Sequence, residues 1–260
     1  MVSEIIDKLI ASLPIYKGDT VFVSSDIRKL LFMGRKQNNL FSPNQFIDAL
    51  IHEIGINGTL LFPTYNWDYC QGLTFDYMHT PCKTGSLGTV ALKRNDFKRT
   101  KHPIYSFAVW GKDKDKLCNL ENVSSFGADS PFAYLKENNA LNIFIDVDYN
   151  NSFTYVHFVE EQSGVVKYRY QKMFTAPYID EDGQNHNSRY SMFVRDLNLD
   201  VENTINNIGL ILEKNAVAKR TTVDTIPIAF LRMGDAYPII EDDIIHNKSR
   251  NICTYIGQED

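Results

Sequence analysis

The chain has 260 residues, of which 43% are apolar, 12% aromatic and 23% charged, a composition typical of folded globular proteins rather than disordered or collagen-like ones. It has 27 Lys and Arg against 32 Asp and Glu, and the resulting net charge of −5 argues against a dedicated nucleic-acid or anionic-membrane binder. No apolar run reaches the roughly 18 residues that cross a bilayer. The four cysteines show no paired spacing, so we expect free thiols, no metal and a cytoplasmic location.

The first sixty residues alternate between helical and strand patterns. They predict helices over Val2–Leu13, Ile27–Leu31 and Pro43–Ile54, and strands over Thr20–Val23 and Thr59–Phe62. Helices that alternate with short buried strands are typical of an α/β domain.

A loop without helical or strand period follows from Pro63 to Lys83. At about twenty residues it is longer than most loops of compact domains, and such loops are usually functional or disordered. It holds five aromatic and two acidic side chains: Tyr65, Trp67, Tyr69, Phe75, Tyr77, Asp68 and Asp76. The aromatic rings could stack on a sugar or fill the core, and their number argues against disorder. We therefore expect a binding site here.

The rest of the chain continues the alternation without a repeat or a linker. We predict a single domain over residues 1–260, with a β-hairpin excursion near 165–196 signalled by its Asp-Gly step. The predicted helices are 85–92, 131–136, 150–162, 201–213 and 224–233, the predicted strands 99–100, 106–110, 141–147, 165–178, 190–196 and 217–219, and the tail from Asp235 is predicted to be irregular.

The phosphate-loop, dinucleotide, zinc-protease and serine-hydrolase motifs are absent, but one polar segment follows the strand predicted at 141–147. Ligands of α/β sheets favour the carboxyl ends of strands. If 152–161 is helical, Thr154, His157 and Glu160 lie roughly along one side. A histidine beside a carboxylate suits a general base, yet the same spacing fits a structural histidine next to a solvated acidic face.

A basic stretch lies between these two regions, with Lys93, Arg94, Lys98, Arg99 and Lys101. Lysine and arginine near a helix start can form a phosphate site, and they can equally form a solvated charged face. Composition alone leaves both interpretations open.

Several strings resemble the aminoglycoside 3-N-acetyltransferase family in their order and spacing. They are Pro63–Asp68, Phe75-Asp76, Thr80–Leu87, His102–Phe107, Phe126–Phe132 and Asn151–Glu160, and the resemblance extends from about Thr20 to Glu161. It implies an acyl-CoA-dependent N-acyltransferase whose α/β fold, a central mixed sheet flanked by helices, differs from that of GCN5-type enzymes. The implied cosubstrate is acetyl-CoA or a hydroxyacyl-CoA, and no metal is implied.

The resemblance also assigns roles by position. His157 matches the catalytic histidine, and Thr154 matches a residue that steadies the thioester oxygen. The positions that match the coenzyme A site are Ser25 and Arg28 in an early turn, Lys83, Thr84 and Gly85 in a cradle, and His102, Ser106 and Phe107 along the cofactor channel. We expect His157 to remove the amine proton directly, with Glu160 or Asp148 orienting it or the substrate, and without a covalent acyl-enzyme.

Two departures from the drug-modifying members concern the substrates. Asp26 replaces a usual serine, and the stretch 191–198 after the hairpin carries Arg195 where those members are strongly acidic. With Arg195 and little net negative charge, the stretch 191–198 of this chain would bind a polycationic antibiotic poorly. We therefore expect a nucleotide-linked amino-deoxy sugar, such as a dTDP-sugar for surface polysaccharide, as acceptor. The alternatives are aminoglycoside 3-N-acetylation with antibiotic resistance, and a coenzyme A- or sugar-binding protein without turnover. The expected assembly is a monomer or a homodimer.

Overall fold

The computed structural model describes residues 4–36 and 40–256. Its ten helices in this part are α1 Glu4–Ala11, α2 Arg28–Lys36, α3 Pro43–Ile54, α4 Ser86–Ala91, α5 Lys114–Cys118, α6 Pro131–Glu137, α7 Tyr149–Ser152, α8 Tyr155–Ser163, α9 Ile205–Lys214 and α10 Met233–His246. Its twelve strands are β1 Thr20–Ser25, β2 Thr59–Pro63, β3 Phe75–Asp76, β4 Lys98–Arg99, β5 Phe107–Gly111, β6 Leu141–Ile145, β7 Arg169–Ile179, β8 Asn185–Arg195, β9 Val201–Asn203, β10 Ala218–Val223, β11 Ile226–Arg232 and β12 Cys253–Tyr255.

A seven-stranded mixed sheet forms the centre of the fold, in the order β10-β11-β6-β1-β2-β5-β4. The three central strands β6, β1 and β2 are parallel, and their outer neighbours are antiparallel. The prediction of a central mixed sheet flanked by helices is confirmed.

Alternation along β1 explains why helices cover both faces of this sheet. Successive strand side chains point to opposite faces. Val21 and Val23 belong to an apolar cluster that includes the buried faces of α1 and α3. Phe22 belongs to a second cluster with α6, α8 and α10. The sheet is therefore the middle of three layers.

The parallel strands bring three connections to one edge of the sheet. The chain leaves β1 towards α2, β2 towards the long loop 63–83, and β6 towards α7. The carboxyl edge of parallel strands is where α/β folds place ligands.

A smaller sheet, β3-β7-β8, lies against the long loop after β2, since the Tyr69 hydroxyl donates to the Ala176 and Ser188 carbonyls of its strands. The hairpin strands pair from Arg169 and Arg195 to Ile179 and Asn185, and β3 from the long loop adds in parallel to β7. The loop is therefore more ordered than its sequence pattern indicates, since its backbone bonds to the hairpin.

Three predictions of secondary structure are wrong. The segment predicted as a helix over 224–233 contains strand β11, because it follows a hairpin turn at Asp224 (φ 53°) and inserts between β10 and β6. An apolar run buried on both sides does not reveal its period. The tail predicted to be irregular from Asp235 contains most of helix α10 and strand β12, and its residues 257–260 lie outside the described residues. The helix predicted over 150–162 is two helices, broken at Phe153 (φ −90°, ψ 58°).

The fold generates one stability test, at Gly209 of α9. A Cβ at this position would lie 2.1 Å from the ring of Tyr149, whose helix α7 forms part of the sheet's carboxyl edge. Alanine normally favours a helix over glycine by about 1 kcal/mol. Here we expect Gly209→Ala to lower the free energy of unfolding, measured in urea, by about 1–3 kcal/mol, because the added methyl group overpacks the contact between α7 and α9.

Leu210→Ala is the matched control on the same helix, since Leu210 is 58% exposed. It should change the free energy of unfolding by less than about 0.5 kcal/mol. A Gly209→Ala protein as stable as the wild type would contradict the close packing of α7 against α9.

Candidate active site

A cleft of about 610 Å³ opens at the carboxyl edge of the parallel strands. Its walls are the turn after β1, the start of the loop after β2, the segment before α4, and the residues from Val147 to His157. All four walls follow or adjoin the three parallel strands, so the sheet topology itself assembles the cleft.

Asp26 orders the first wall. Its carboxylate accepts hydrogen bonds from the backbone N–H of Arg28 (3.0 Å) and from the guanidinium of the same residue. The Arg28 hydrogen bonds hold the pKa of Asp26 below its usual range. Asp26, for which the sequence suggested no role, thus positions a cation at the mouth of the cleft.

The segment before α4 is fixed by Thr84 and Gly85. The Thr84 hydroxyl donates to the Pro63 carbonyl (2.9 Å) and accepts from the Tyr65 backbone N–H (3.1 Å). Gly85 has φ 115°, and a Cβ there would lie 3.2 Å from the Ser25 carbonyl oxygen. Glycine is therefore required for this close approach to the end of β1.

The break between α7 and α8 sets the position of Thr154 and His157. Thr154 precedes α8 and makes no side-chain capping bond to it. Both Thr154 and His157 line the cleft, with the Tyr65 ring in another part of its wall. A continuous helix would not present this short turn at the end of the cleft.

A buried ionic cluster holds His157. Its Nδ1 lies 2.7 Å from Glu160 Oε2, and the Arg169 Nε lies 2.8 Å from the same oxygen. The Tyr168 hydroxyl donates to Glu160 Oε1 (2.6 Å). Side-chain exposure is 14% for His157, 6% for Arg169 and 0% for Glu160. Because Nδ1–H donates to the carboxylate, the neutral imidazole carries its lone pair on Nε2.

The cluster favours the neutral imidazole. Burial, and then the Arg169 guanidinium, hold the pKa of His157 below its ordinary value of 6.5, against the opposite effect of Glu160. Burial alone would raise the pKa of Glu160, but Arg169 and His157 outweigh it and the pKa lies below its usual value. An uncharged histidine that faces a cleft can accept a proton at neutral pH.

A second cleft of about 680 Å³ meets the first at His157 and Tyr105, which line both. The hairpin strands β7 and β8 form most of its walls, together with the segment 196–198. Its charged lining comprises Arg169, Lys172, Arg195 and Asp196. His157 thus lies where two separately built clefts join.

Most residues predicted to bind coenzyme A or substrate lie on these walls. The first cleft is lined by Ser25, Arg28, Tyr65, Trp67, Lys83, Thr84, Gly85, Thr154 and His157, and the second by Arg195. Glu160 does not line either cleft. It contacts the Nδ1 atom of His157 from the protein interior, as an orienting group does.

Three predicted cofactor contacts, His102, Ser106 and Phe107, lie in the interior instead. His102 Nδ1 accepts two backbone N–H bonds, from residues 104 and 105, and burial lowers the pKa of His102 to about 4. The Ser106 hydroxyl donates to the Thr64 carbonyl (3.0 Å), and Phe107 is a core residue. These side chains support the loop after β2 and do not reach the cleft wall.

Three predicted substrate carboxylates are also outside both cleft walls. Asp148 caps α7 through the Asn151 N–H (2.8 Å). Asp76 accepts from the backbone of the turn that follows it, and Asp68 pairs with Lys83. Each carboxylate organises local backbone or a neighbouring cation.

The basic stretch 93–101 does not form a phosphate cluster. Arg94 pairs with Asp48 and Asp96, and two lysines of the stretch pair with acids of other elements. Arg99 is buried beneath the long loop, where it donates to the Tyr77 carbonyl (3.1 Å). The stretch therefore ties loops together.

Sequence reasoning missed two side chains of the site, Arg169 and Tyr105. Arg169 is buried at the start of β7, next to the exposed residues 170–173, and only the pairing of β7 with β8 places it near Glu160. Tyr105 stands within the string His102–Phe107, so the resemblance offered a signal for it.

Within 4–36 and 40–256, no helix is both long and apolar enough to span a membrane. The same residues contain no group of three or more His, Cys, Asp or Glu that could hold a metal ion.

Comparison with known proteins gives consistent results. A curated relative, the SPbeta prophage-derived aminoglycoside N(3')-acetyltransferase-like protein YokD of Bacillus subtilis, is 25% identical over 93% of this chain and 91% of its own length. The crystal structure of YokD superposes with a TM-score of 0.74 at 23% identity, covering 95% of this chain and 94% of that one.

Two liganded structures share the fold. Sisomicin-bound AAC-VIa has a TM-score of 0.74 at 19% identity, with 93% of this chain and 96% of that chain covered. AAC-IIIb in a binary complex with CoASH has a TM-score of 0.72 at 15% identity, with 92% and 94% covered.

The family model described as aminoglycoside 3-N-acetyltransferase matches residues 28–243, which is most of the chain. The resemblance inferred from the sequence strings is thereby confirmed. The chain belongs to the aminoglycoside 3-N-acetyltransferase family and is an N-acyltransferase.

Proposed function

We propose that this protein transfers an acetyl group from acetyl-CoA to an amine of an aminoglycoside, with His157 as general base. The observation that carries the proposal is the position of His157 at the junction of two clefts, with its Nδ1 held by the buried Glu160. Family membership favours an aminoglycoside over the nucleotide-linked sugar expected from the sequence. The sisomicin and CoASH complexes of the two relatives provide the same pairing of substrates.

The first cleft suits coenzyme A. Arg28 and Lys83 line it as cations at the rim, where they can meet phosphates, and Arg28 is 89% exposed. The Gly85 backbone is open to a thin chain such as pantetheine, since no side chain covers it. Ser25 and Thr84 complete this wall.

The reaction then moves one proton from the attacking amine to the sulfur by way of His157. His157 Nε2 removes the proton of the attacking amine as its nitrogen bonds to the thioester carbonyl carbon. The Thr154 hydroxyl donates to the oxygen on which negative charge develops. As the carbon–sulfur bond breaks, the sulfur takes the electron pair and receives a proton from the His157 imidazolium. The enzyme returns to its starting state without a covalent intermediate of its own.

A second candidate acceptor, a nucleotide-linked amino sugar, is favoured by the charge of the second cleft. Lys172 and Arg195 line it with Asp196, whereas Arg169 is already paired with Glu160. Phosphates would pair with these cations, and several ammonium groups would be repelled by them. We further propose that residues 1–260 act as one catalytic domain, because both clefts share His157.

The first test replaces the proposed base. We expect His157→Ala to lower kcat by about 10²–10⁴-fold, because the amine then loses its proton only to solvent. The Kd for CoA, measured by calorimetry, should stay nearly unchanged. His246→Ala, at the exposed end of α10, is the control and should retain full activity. Full activity of His157→Ala would rule out the proposed base.

The second test separates the two ends of the donor. We expect Arg28→Ala to lower kcat/KM several-fold for acetyl-CoA and to leave it unchanged for acetyl-pantetheine, which lacks the nucleotide phosphates. Lys36→Ala, at the other end of α2, is the control for a lost positive charge. Equal losses with both donors would mean that Arg28 does not act on the phosphates.

The third test identifies the acceptor by the release of free thiol from acetyl-CoA, with the protein's four cysteines as the blank. The panel contains kanamycin, gentamicin and amino sugars, both free and linked to dTDP. We expect release with the aminoglycosides and protection of cells against them. Release only with the dTDP-linked sugars would replace the first candidate by the second.

The same panel should be repeated with a Lys172→Glu, Arg195→Glu double variant. Its kcat/KM should rise for aminoglycosides and fall for phosphate-bearing sugars, since the two charges of the cleft are reversed. Lys219→Glu, at an exposed position on β10, is the control for a charge reversal outside the cleft.

A further inference from the structure

Arg169 occupies a place in the site that neither substrate explains. Its Nε lies 2.8 Å from Glu160 Oε2, the same oxygen that holds His157 Nδ1. Its other nitrogens donate to the Phe193 carbonyl (3.3 Å) and to Asn203 Oδ1 (3.0 Å). Contacts with β8 and β9 thus fix the guanidinium against the carboxylate, so it is not positioned as a mobile substrate contact.

The charge of Glu160 alone would act against catalysis. A buried carboxylate 2.7 Å from an imidazole strongly favours the imidazolium, because charges interact more strongly where water is excluded. An imidazolium has no lone pair with which to take a proton from the amine. Orientation by a carboxylate and readiness as a base are therefore in conflict at this site.

The Arg169 guanidinium resolves that conflict, since arginine keeps its positive charge at any working pH. With Arg169 the carboxylate is neutralised, and a proton on His157 would give the cluster a net charge of +1. Without Arg169 the same proton would make the cluster neutral. The permanent cation thus penalises protonation of the histidine while Glu160 still holds its Nδ1.

We propose that Arg169 is a positioning residue that neutralises Glu160 and so keeps His157 in the unprotonated form that accepts the amine proton. The inference rests on the proposed function, because a neutral His157 matters for catalysis only when His157 is the base. The placement of the charges stands independently of the acceptor.

Other charged and titratable groups around His157 are farther along the cleft walls. They are Lys172, Arg195 and Asp196 on the hairpin side, Cys70 and Tyr105 on the loop side, and Asp26, Arg28 and Lys83 across the first cleft. Glu161, on the helix of His157, lines neither cleft and accepts from Ser124 (2.7 Å). Glu160 is the charged group that contacts His157 Nδ1, and Arg169 contacts the same Glu160 oxygen.

The direction in which the pKa of His157 is shifted agrees with this arrangement. Its pKa lies below the ordinary 6.5, first through burial and then through Arg169, although Glu160 acts in the opposite direction. A base with a lowered pKa is unprotonated above that pKa and is lost as the pH falls through it. Activity of the wild type should therefore persist to below pH 6.5.

A set of variants that remove or keep the charges of Arg169 and Glu160 tests the proposal without measuring acyl transfer. The ring ¹⁵N shifts of His157 are followed against pH by NMR in the wild type, Arg169→Gln, Arg169→Lys and Glu160→Gln, with His157→Gln to assign one signal among six histidines. We expect the pKa of His157 to rise by at least about one unit in Arg169→Gln. It should fall in Glu160→Gln and stay near the wild type in Arg169→Lys, which keeps the charge.

The Glu160→Gln, Arg169→Gln double variant keeps the test decisive if the single arginine variant does not fold, because it buries no unpaired carboxylate. Adding Arg169→Gln to Glu160→Gln should raise the pKa of His157. A pKa that is unchanged or lowered in both comparisons would overturn the proposal.

The pH dependence of activity then tests the role of Arg169 separately from the proposed function. In Arg169→Gln the acid limb of kcat/KM should move to higher pH by the same amount as the NMR titration, with the plateau recovered at high pH. A merely structural arginine would lower the plateau without moving the limb, and that result would also overturn the proposal. A shifted NMR titration in a protein inactive with every acceptor would instead refute the proposed function alone.

Discussion

The burial of one carboxylate, Glu160, is the constraint on which this site depends. An ionised group removed from water is tolerated only where partners replace its hydration. Here the partners come from three places: His157 one turn away on α8, Tyr168 just before β7, and Arg169 at the start of β7. The contacts that stabilise the Glu160 charge also join α8, on one face of the central sheet, to the hairpin. The same interactions therefore satisfy the buried charge and fix the geometry of the base.

The loop after β2 meets a comparable requirement with neutral groups. Its backbone is bonded by the hydroxyls of Thr84 and the buried Ser106, and its short strand β3 pairs with β7. The buried His102 holds the backbone of residues 104 and 105, where the Ile104 carbonyl accepts from the Asn66 N–H of the loop (3.0 Å). A long segment without apolar period is thereby ordered through hydrogen bonds to its neighbours. This explains why residues that match a cofactor channel in the family are found one layer below the cleft.

How much the sequence could predict depended on whether the signal was local. Helix α3 was predicted with its observed bounds, Pro43 to Ile54, from its helical period and from the Gly55 that ends it. Strand β11 was not, since a doubly buried apolar run is equally compatible with a helix. In the site, Thr154 and His157 follow from spacing and resemblance. Arg169 is brought to Glu160 only by the hairpin register, which no local pattern contains.

The two clefts meet at His157 but are built from different parts of the chain. Loops of the central sheet form the first, and their positions are fixed by strands that also make the core. The second is formed mostly by β7 and β8, and three of its lining residues, Tyr170, Lys172 and Arg195, lie outside the apolar clusters of the core. Substitutions at these three positions can therefore accumulate without disturbing the core or the first cleft. Under the proposed function, the acceptor side of the site can change in sequence while His157 and its buried partners stay the same.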